Sequence, residues 1–140
     1  MEVSLRKVSR NDWDYILNLR NNREFRTFFY DQHVITKKEH YKYLQKQKTN
    51  KHFFNWVIYY GNTNVGYLRI LNNDVSIIID TKYHNKRIGT KALRLLENEA
   101  KKLRIKKLVG RVMIHNKSSA RIFERNGYKL IMYWYEKKII

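Results

Sequence analysis

Apolar residues change their spacing partway along the chain, and that change sorts it into elements. Val3, Leu5 and Val8 lie in an alternating stretch that reads as a strand. Asn11 or Asp12 can cap a helix carrying Trp13, Ile16, Leu17 and Leu19, which ends near Asn21-Asn22. Residues 23–29 form a further helical turn, and Thr36 with Glu39 three residues on is a capping box opening a helix with Tyr43 and Leu44 on its apolar side. From Phe53 the period becomes two. Phe54 to Tyr59, a Gly61-Asn62-Thr63-Asn64 turn and Val65 to Leu71 make a hairpin, and a turn at Asn72-Asn73-Asp74 leads to Val75-Ser76-Ile77-Ile78-Ile79. That last run is nearly unbroken, as in a strand covered on both faces. Ile88, Ala92, Leu96, Ala100 and Leu103 then recur at helical intervals, with Lys91, Arg94, Asn98 and Lys101 facing out. Residues 107–114 read as a strand, Ser118 or Ser119 opens a short helix, Asn126-Gly127 ends it, and residues 128–139 close with strand propensity. The order is β, several α, three β, α, β, α, β.

A chain of 140 residues with 43% hydrophobic residues predicts one self-sufficient domain over residues 1–140. Lys and Arg number 30 against 12 Asp and Glu, a formal charge of +18, so partners drawn by long-range attraction are anionic. With no cysteine there is no disulfide, thiolate metal site or cysteine nucleophile. No apolar run approaches the roughly 18 residues of a membrane span, and Met1-Glu2-Val3-Ser4 does not open a signal peptide. The expectation is a soluble, cytoplasmic protein with no membrane partner.

Chemistry concentrates between the apolar strand and the strongest helix, at His84, Asn85, Lys86, Arg87, Ile88, Gly89 and Thr90. A helix start carries unpaired N–H groups and partial positive charge, so a basic turn around it suits a phosphate. A solvated basic turn is an equal reading of the same residues. Histidines at no ligand spacing, with no acidic cluster beside them, predict no metal.

The run from Val65 to Tyr128 resembles the GNAT acetyltransferase superfamily. The likeness rests on Val65-Gly66-Tyr67, the strand Val75 to Ile79, the loop and helix start His84 to Leu93, the strand from Leu108, Asn116-Lys117-Ser118-Ser119, and Asn126-Gly127-Tyr128. The resemblance implies a mixed, mostly antiparallel α/β sheet with helices on both faces, splayed between its two central parallel strands. It implies acetyl-CoA as donor, its pyrophosphate at His84 to Thr90 and its pantetheine along the backbone of Ile77, Ile78 and Ile79, a form of strand addition. A backbone N–H near Ile78 would polarise the thioester carbonyl. Asn116, Ser119 and Phe123 would meet the cofactor from across the splay. Only Gly89 survives of the family's loop glycines, with Asn85 and Arg87 at the others; a negative φ would leave the N–H of Arg87 able to donate.

Members that acetylate protein N-termini carry a Tyr acid and a Glu base where this chain has Phe123 and Arg111. Phe has no proton to give and Arg stays protonated. The resemblance implies Asp74, at a position often acidic in the family, as first choice of general base; His40, largely neutral at pH 7, could also serve, and Tyr83, Tyr128 and Tyr133 are the remaining acids. Leu19-Arg20-Asn21, Arg26, Ile35 to His40 and Tyr43-Leu44 are similar to nucleotide-sugar N-acetyltransferases of the pseudaminic acid pathway type. This implies Arg20, Asn21, His40 and His33 at a small-molecule acceptor, a nucleotide-linked amino sugar. His52 and His115 are assigned to structure. A protein or ribosomal N-terminal acetyltransferase is the second reading, a basic nucleic-acid-binding module the third; a homodimer is compatible with each.

Overall fold

The computed structural model describes all 140 residues. Strands β1 (Val3–Lys7), β2 (Phe53–Tyr60), β3 (Thr63–Leu71) and β4 (Asp74–Ile79) pair antiparallel in chain order, and β5 (Val109–Gly110) adds parallel to β4. Both hairpin turns run through left-handed residues, Gly61 (φ 60°) in one and Asn72 (49°) with Asn73 (70°) in the other, as tight hairpins require. The fold class is the mixed α/β sheet expected above.

Alternation along β3 and β4 assigns each face to its own helices. Leu68, Ile70, Val75 and Ile79 point to one side, where α4 (Ile88–Lys102) buries Ile88, Ala92, Leu93 and Leu96 and α5 (Lys117–Arg125) adds Phe123. Tyr67 and Ile78 point to the other, against Ile16 and Leu19 of α1 (Trp13–Asn21) and Phe25 of α2 (Arg23–Arg26). Helix α3 (Lys37–Gln47) lies outside α1, and its Thr36–Glu39 capping box is formed. At 25 cal/mol per Å², burying each of these aliphatic side chains contributes about 2 kcal/mol.

Two expected strands are shortened or missing. Of residues 107–114 only Val109 and Gly110 pair, and residues 128–140 form no strand, leaving Leu130, Ile131, Tyr133, Trp134 and Tyr135 more than 70% exposed. Strand propensity is a preference for packing on neighbours, and the short β5 offers little edge to pair with. No helix is long and apolar enough to cross a membrane.

Candidate active site

The site begins where β4 and β5 part. They pair only at Asp74–Val109 and Val75–Gly110, so the rest of β4 has no neighbour on that side. Backbone parity decides which groups are left open. Asp80 N–H donates to Val65 O at 2.8 Å, so even-numbered residues of β4 direct main-chain groups at β3; Val109 N–H donates to Asn73 O at 2.8 Å, so odd-numbered ones face β5. Ile77 and the N–H of Ile79 thus line the gap. Ile78 does not: its N–H turns toward β3 and its side chain joins the α1 cluster, so of the expected run Ile77 to Ile79 only its two neighbours present main-chain groups to the gap. The carbonyl of Ile79 accepts from His84 Nε2 at 2.8 Å, so His84 ties the next turn to the end of β4.

That turn leads into α4 through two left-handed residues, Asn85 (φ 65°) and Arg87 (φ 59°). The condition set for donation by the Arg87 N–H, a negative φ, is not met: the chain keeps the left-handed geometry of a glycine loop without the glycines. Such a conformation costs a non-glycine residue about 1 kcal/mol or more, and Asn tolerates it better than Arg. It makes a concavity of main-chain N–H groups at the helix start, suited to an anion. Thr90 Oγ1 is buried there without a partner. Gly89 has another job than close approach to a ligand, since a Cβ on it would stand 2.7 Å from Ile122 Cδ1, so it lets α5 pack against α4. Asn85, Lys86, Arg87, Thr90 and the first-turn N–H groups of Ile88 and Gly89 together fit a pyrophosphate.

Across the gap, Asn116 caps α5 by accepting from Ser119 N–H at 3.2 Å, so both are engaged in the helix start. Phe123 is core, wedged beneath Gly110, where a Cβ would lie 2.6 Å from its ring, and 4.8 Å edge-on from the ring of Tyr128. Tyr128 joins it there; burial first, then Glu97, pushes its phenol up to about 12. Phe123 is thus turned into the core and not toward a cofactor as expected, while Tyr128 packs beside it. Tyr133 is exposed, and Tyr83 packs on Tyr60.

The expected acceptor residues divide. His40 is buried, donating Nε2–H to Trp13 O at 2.8 Å, and burial holds its pKa below the usual histidine value; it joins α3 to α1 and is not at the site as a base. Asn21 accepts from Ile35 N–H at 2.8 Å and donates to Ile35 O at 2.7 Å, pinning the loop before α3. His33 is exposed between Asp31, at 2.6 Å, and Glu39, and these carboxylates raise its pKa. His115 donates to Thr27 O at 2.8 Å and stacks on Phe28, a structural role as assigned. Arg20 does reach the α1 side of the sheet, near Tyr67, Arg69 and Tyr43, with its guanidinium 5.6 Å from the Phe29 ring centroid; burial lowers its pKa.

Asp74 has a different task from the expected base. Oδ2 accepts from Arg69 Nη2 at 2.9 Å and Oδ1 from Arg111 Nε at 3.0 Å, so both oxygens serve two permanent cations. Arg69 and Arg111 were missed in the sequence: Arg69 looked like one residue of an alternating strand, and Arg111 only like a lost base. The three residues, with Leu71, Asn72 and Val109, line a cavity of about 340 Å³ at the start of β4 and β5.

The family model of the acetyltransferase (GNAT) domain matches residues 2–129. The chain belongs to the GNAT acetyltransferase family. An uncharacterised protein of Methanocaldococcus jannaschii is 26% identical to this GNAT domain over 91% of the chain, which spans only 28% of that relative's length. A crystallised domain from the same organism is 25% identical, covers 91% of this chain and 88% of its own, and superposes with a TM-score of 0.81. The spermidine N-acetyltransferase of Vibrio cholerae, solved with CoA and spermine, is 19% identical, covers 89% of this chain and 79% of its own, and also has a TM-score of 0.81. At that identity the likeness is one of fold.

Proposed function

We propose that this chain transfers an acetyl group from acetyl-CoA to a primary amine on a nucleotide-linked amino sugar. The observation that carries the donor is the open edge of β4 at Ile77 and Ile79, continuous with the anion-binding turn from Asn85 to Thr90. Acetyl-CoA supplies an activated acetyl thioester, and the Vibrio cholerae relative binds CoA itself. Main-chain groups of Ile77 and the N–H of Ile79 pair with the amides of the pantetheine arm as an added strand would. A wedge-facing N–H of β4 polarises the carbonyl under attack, a role for which a fixed backbone dipole needs no reorganisation. Arg87, Lys86 and the first turn of α4 hold the phosphates. The amine nitrogen bonds the carbonyl carbon as the C–S bond breaks, and the amine's proton passes through water to the departing thiolate, giving the N-acetyl product and free CoA; holding amine and thioester together supplies much of the rate.

The acceptor follows from charge. Arg69 and Arg111 line the cavity at the start of β4 with one carboxylate, Asp74, between them, Arg20 lies near enough to feel the charge of Arg69, and the whole chain carries +18. A polyamine such as the spermine bound by the Vibrio cholerae protein would be repelled there; a nucleoside diphosphate sugar would be attracted.

Two measurements test this. At a hundred times its dissociation constant acetyl-CoA should stabilise the fold by about 2.7 kcal/mol, and absence of any melting shift would remove the donor. Thiol release should then be followed over UDP- and dTDP-linked amino sugars, spermidine and N-terminal peptides. Turnover of spermidine or peptides alone would remove the acceptor.

A further inference from the structure

The cavity at the start of β4 and β5 is cationic in an unusual way. Arg69 is a strand residue whose side chain is only 13% exposed, and its Nε is buried with no partner. Arg111, the residue after β5, approaches the same carboxylate with a side chain 73% exposed. Two guanidiniums bring ten N–H donors, and three contacts to Asp74 use only a few of them. Arg20, outside the cavity lining, lies partly buried, close enough for Arg69 to oppose its charge, and pairs with no carboxylate. Partly desolvated cations in excess of their counter-ions are costly unless an anion joins them. Asp74 fixes the two forks against the sheet, leaving Arg69 Nε buried without an acceptor and the remaining donors of Arg111 facing solvent.

We propose that this cavity is the subsite for an anionic substituent of the acceptor, a phosphate or carboxylate, bridged by Arg69 and Arg111. The placement rests on the acetyltransferase reading above and sharpens it. Asp74 and Ile77 are three residues apart on an extended strand, about 10 Å at roughly 3.3 Å per residue. An anion held there lies that far along the strand from Ile77, where the pantetheine arm is proposed to pair. Planar guanidinium forks suit this task because each bonds two oxygens of one phosphate or carboxylate at once. Asp74 is a positioning residue: it orients the forks and touches no reacting atom.

The test uses the full chain saturated with CoA, so that the turn before α4 is filled, and titrates inorganic pyrophosphate by calorimetry. One further site is expected in the native chain, weakened at least tenfold in Arg111→Gln and in Arg69→Gln and unchanged in Lys82→Gln. Arg111 is exposed, so Arg111→Gln stays folded even if Arg69→Gln does not. No second pyrophosphate site, or equal affinity in Arg111→Gln, overturns the subsite. If CoA fails to bind, the acetyltransferase reading falls, and the same comparison with Arg111→Gln still decides the subsite. A kinetic arm separates the anions: an amino sugar 1-phosphate and an amino acid with a free carboxylate are each compared with the neutral amino sugar. At least a tenfold higher kcat/KM for one of the anionic acceptors, lost in Arg111→Gln with KM for acetyl-CoA unchanged, supports the proposal and names the anion. Equal use of the neutral sugar overturns it.

Discussion

Arg111 Nε donates to Asp74 Oδ1 at 3.0 Å, and this ion pair runs from the residue after β5 to the first residue of β4, beside the only two residue pairs that join those strands. Asp74 is mostly buried and answers Arg69 as well, whereas Arg111 stands largely in solvent. The two ends of the contact are therefore unequal. Asp74→Asn leaves the little-exposed Arg69 without a carboxylate and is expected to cost about 2 kcal/mol. Arg111→Gln removes an exposed partner and should cost under about 0.5 kcal/mol. Urea unfolding of the two variants checks the asymmetry; equal losses would mean that Asp74 does not hold Arg69 in place.

Gly66 and Gly89 differ in what a methyl group would strike. On Gly66 it would lie 2.3 Å from the main-chain oxygen of Ile78, which the β3–β4 ladder holds fixed; on Gly89 it would meet the tip of the Ile122 side chain, which can turn away. Gly66→Ala is expected to destabilise by about 3 kcal/mol and to weaken acetyl-CoA binding by shifting β4, while Gly89→Ala should cost about 1 kcal/mol. Chemical denaturation gives both numbers. A mild Gly66→Ala would show that β4 can move, contrary to the role given to its edge.

How far the sequence discloses this depends on whether a feature is local. Helix α4 was legible almost to the residue, Ile88–Lys102, because its apolar stripe repeats over four turns. The hairpins were legible because Gly61 and the Asn72-Asn73 pair mark their turns. The anion turn was legible in its composition, although the left-handed backbone of Arg87 was not, since nothing about an arginine announces positive φ. The Arg69–Asp74–Arg111 cluster was invisible: Asp74 and Arg111 are 37 positions apart, and only the β4–β5 register makes them neighbours. His40 misled for the opposite reason, since a polar residue on a charged helix gives no sign that its ring is buried against the Trp13 carbonyl. The last strand misled because propensity counts side chains and not available edges.

Arg87 sets stability against binding. Its φ of 59° is strained for any side chain, and glycine would relieve that strain. The guanidinium, however, stands at the turn proposed to hold the phosphates. Arg87→Gly is expected to change stability by under about 1 kcal/mol, relief of strain being offset by greater freedom of the unfolded chain, and to weaken acetyl-CoA binding about tenfold. Melting curves with and without acetyl-CoA separate the two effects. Undiminished stabilisation by acetyl-CoA would take Arg87 out of the phosphate grip.

His40 predicts an acid limb to stability. Its ring is buried, and that burial, reinforced by the positive charge of Arg20, lowers its pKa below 6.5, while the backbone bond to Trp13 and the charge of Asp14 act the other way; Tyr41 packs beside it. In the unfolded chain the ring titrates near 6.5, so below that pH the unfolded state binds a proton that the native state refuses. Stability therefore rises with pH up to about 6.5 and is lost as pH falls from there toward the lowered native pKa, with a slope of at most about 1.4 kcal/mol per pH unit for one proton. His33, whose pKa is raised by Asp31 and Glu39, contributes with the opposite sign, stabilising at low pH and losing that effect as pH rises. Comparing variants cancels the second contribution. His40→Gln keeps an N–H donor for the Trp13 carbonyl without a proton to take up, so its stability relative to the native chain should improve steadily as pH is lowered from 6.5. Urea unfolding across that range reads the difference. A constant difference at every pH would mean that the His40 ring takes its proton as readily in the folded chain as in the unfolded one.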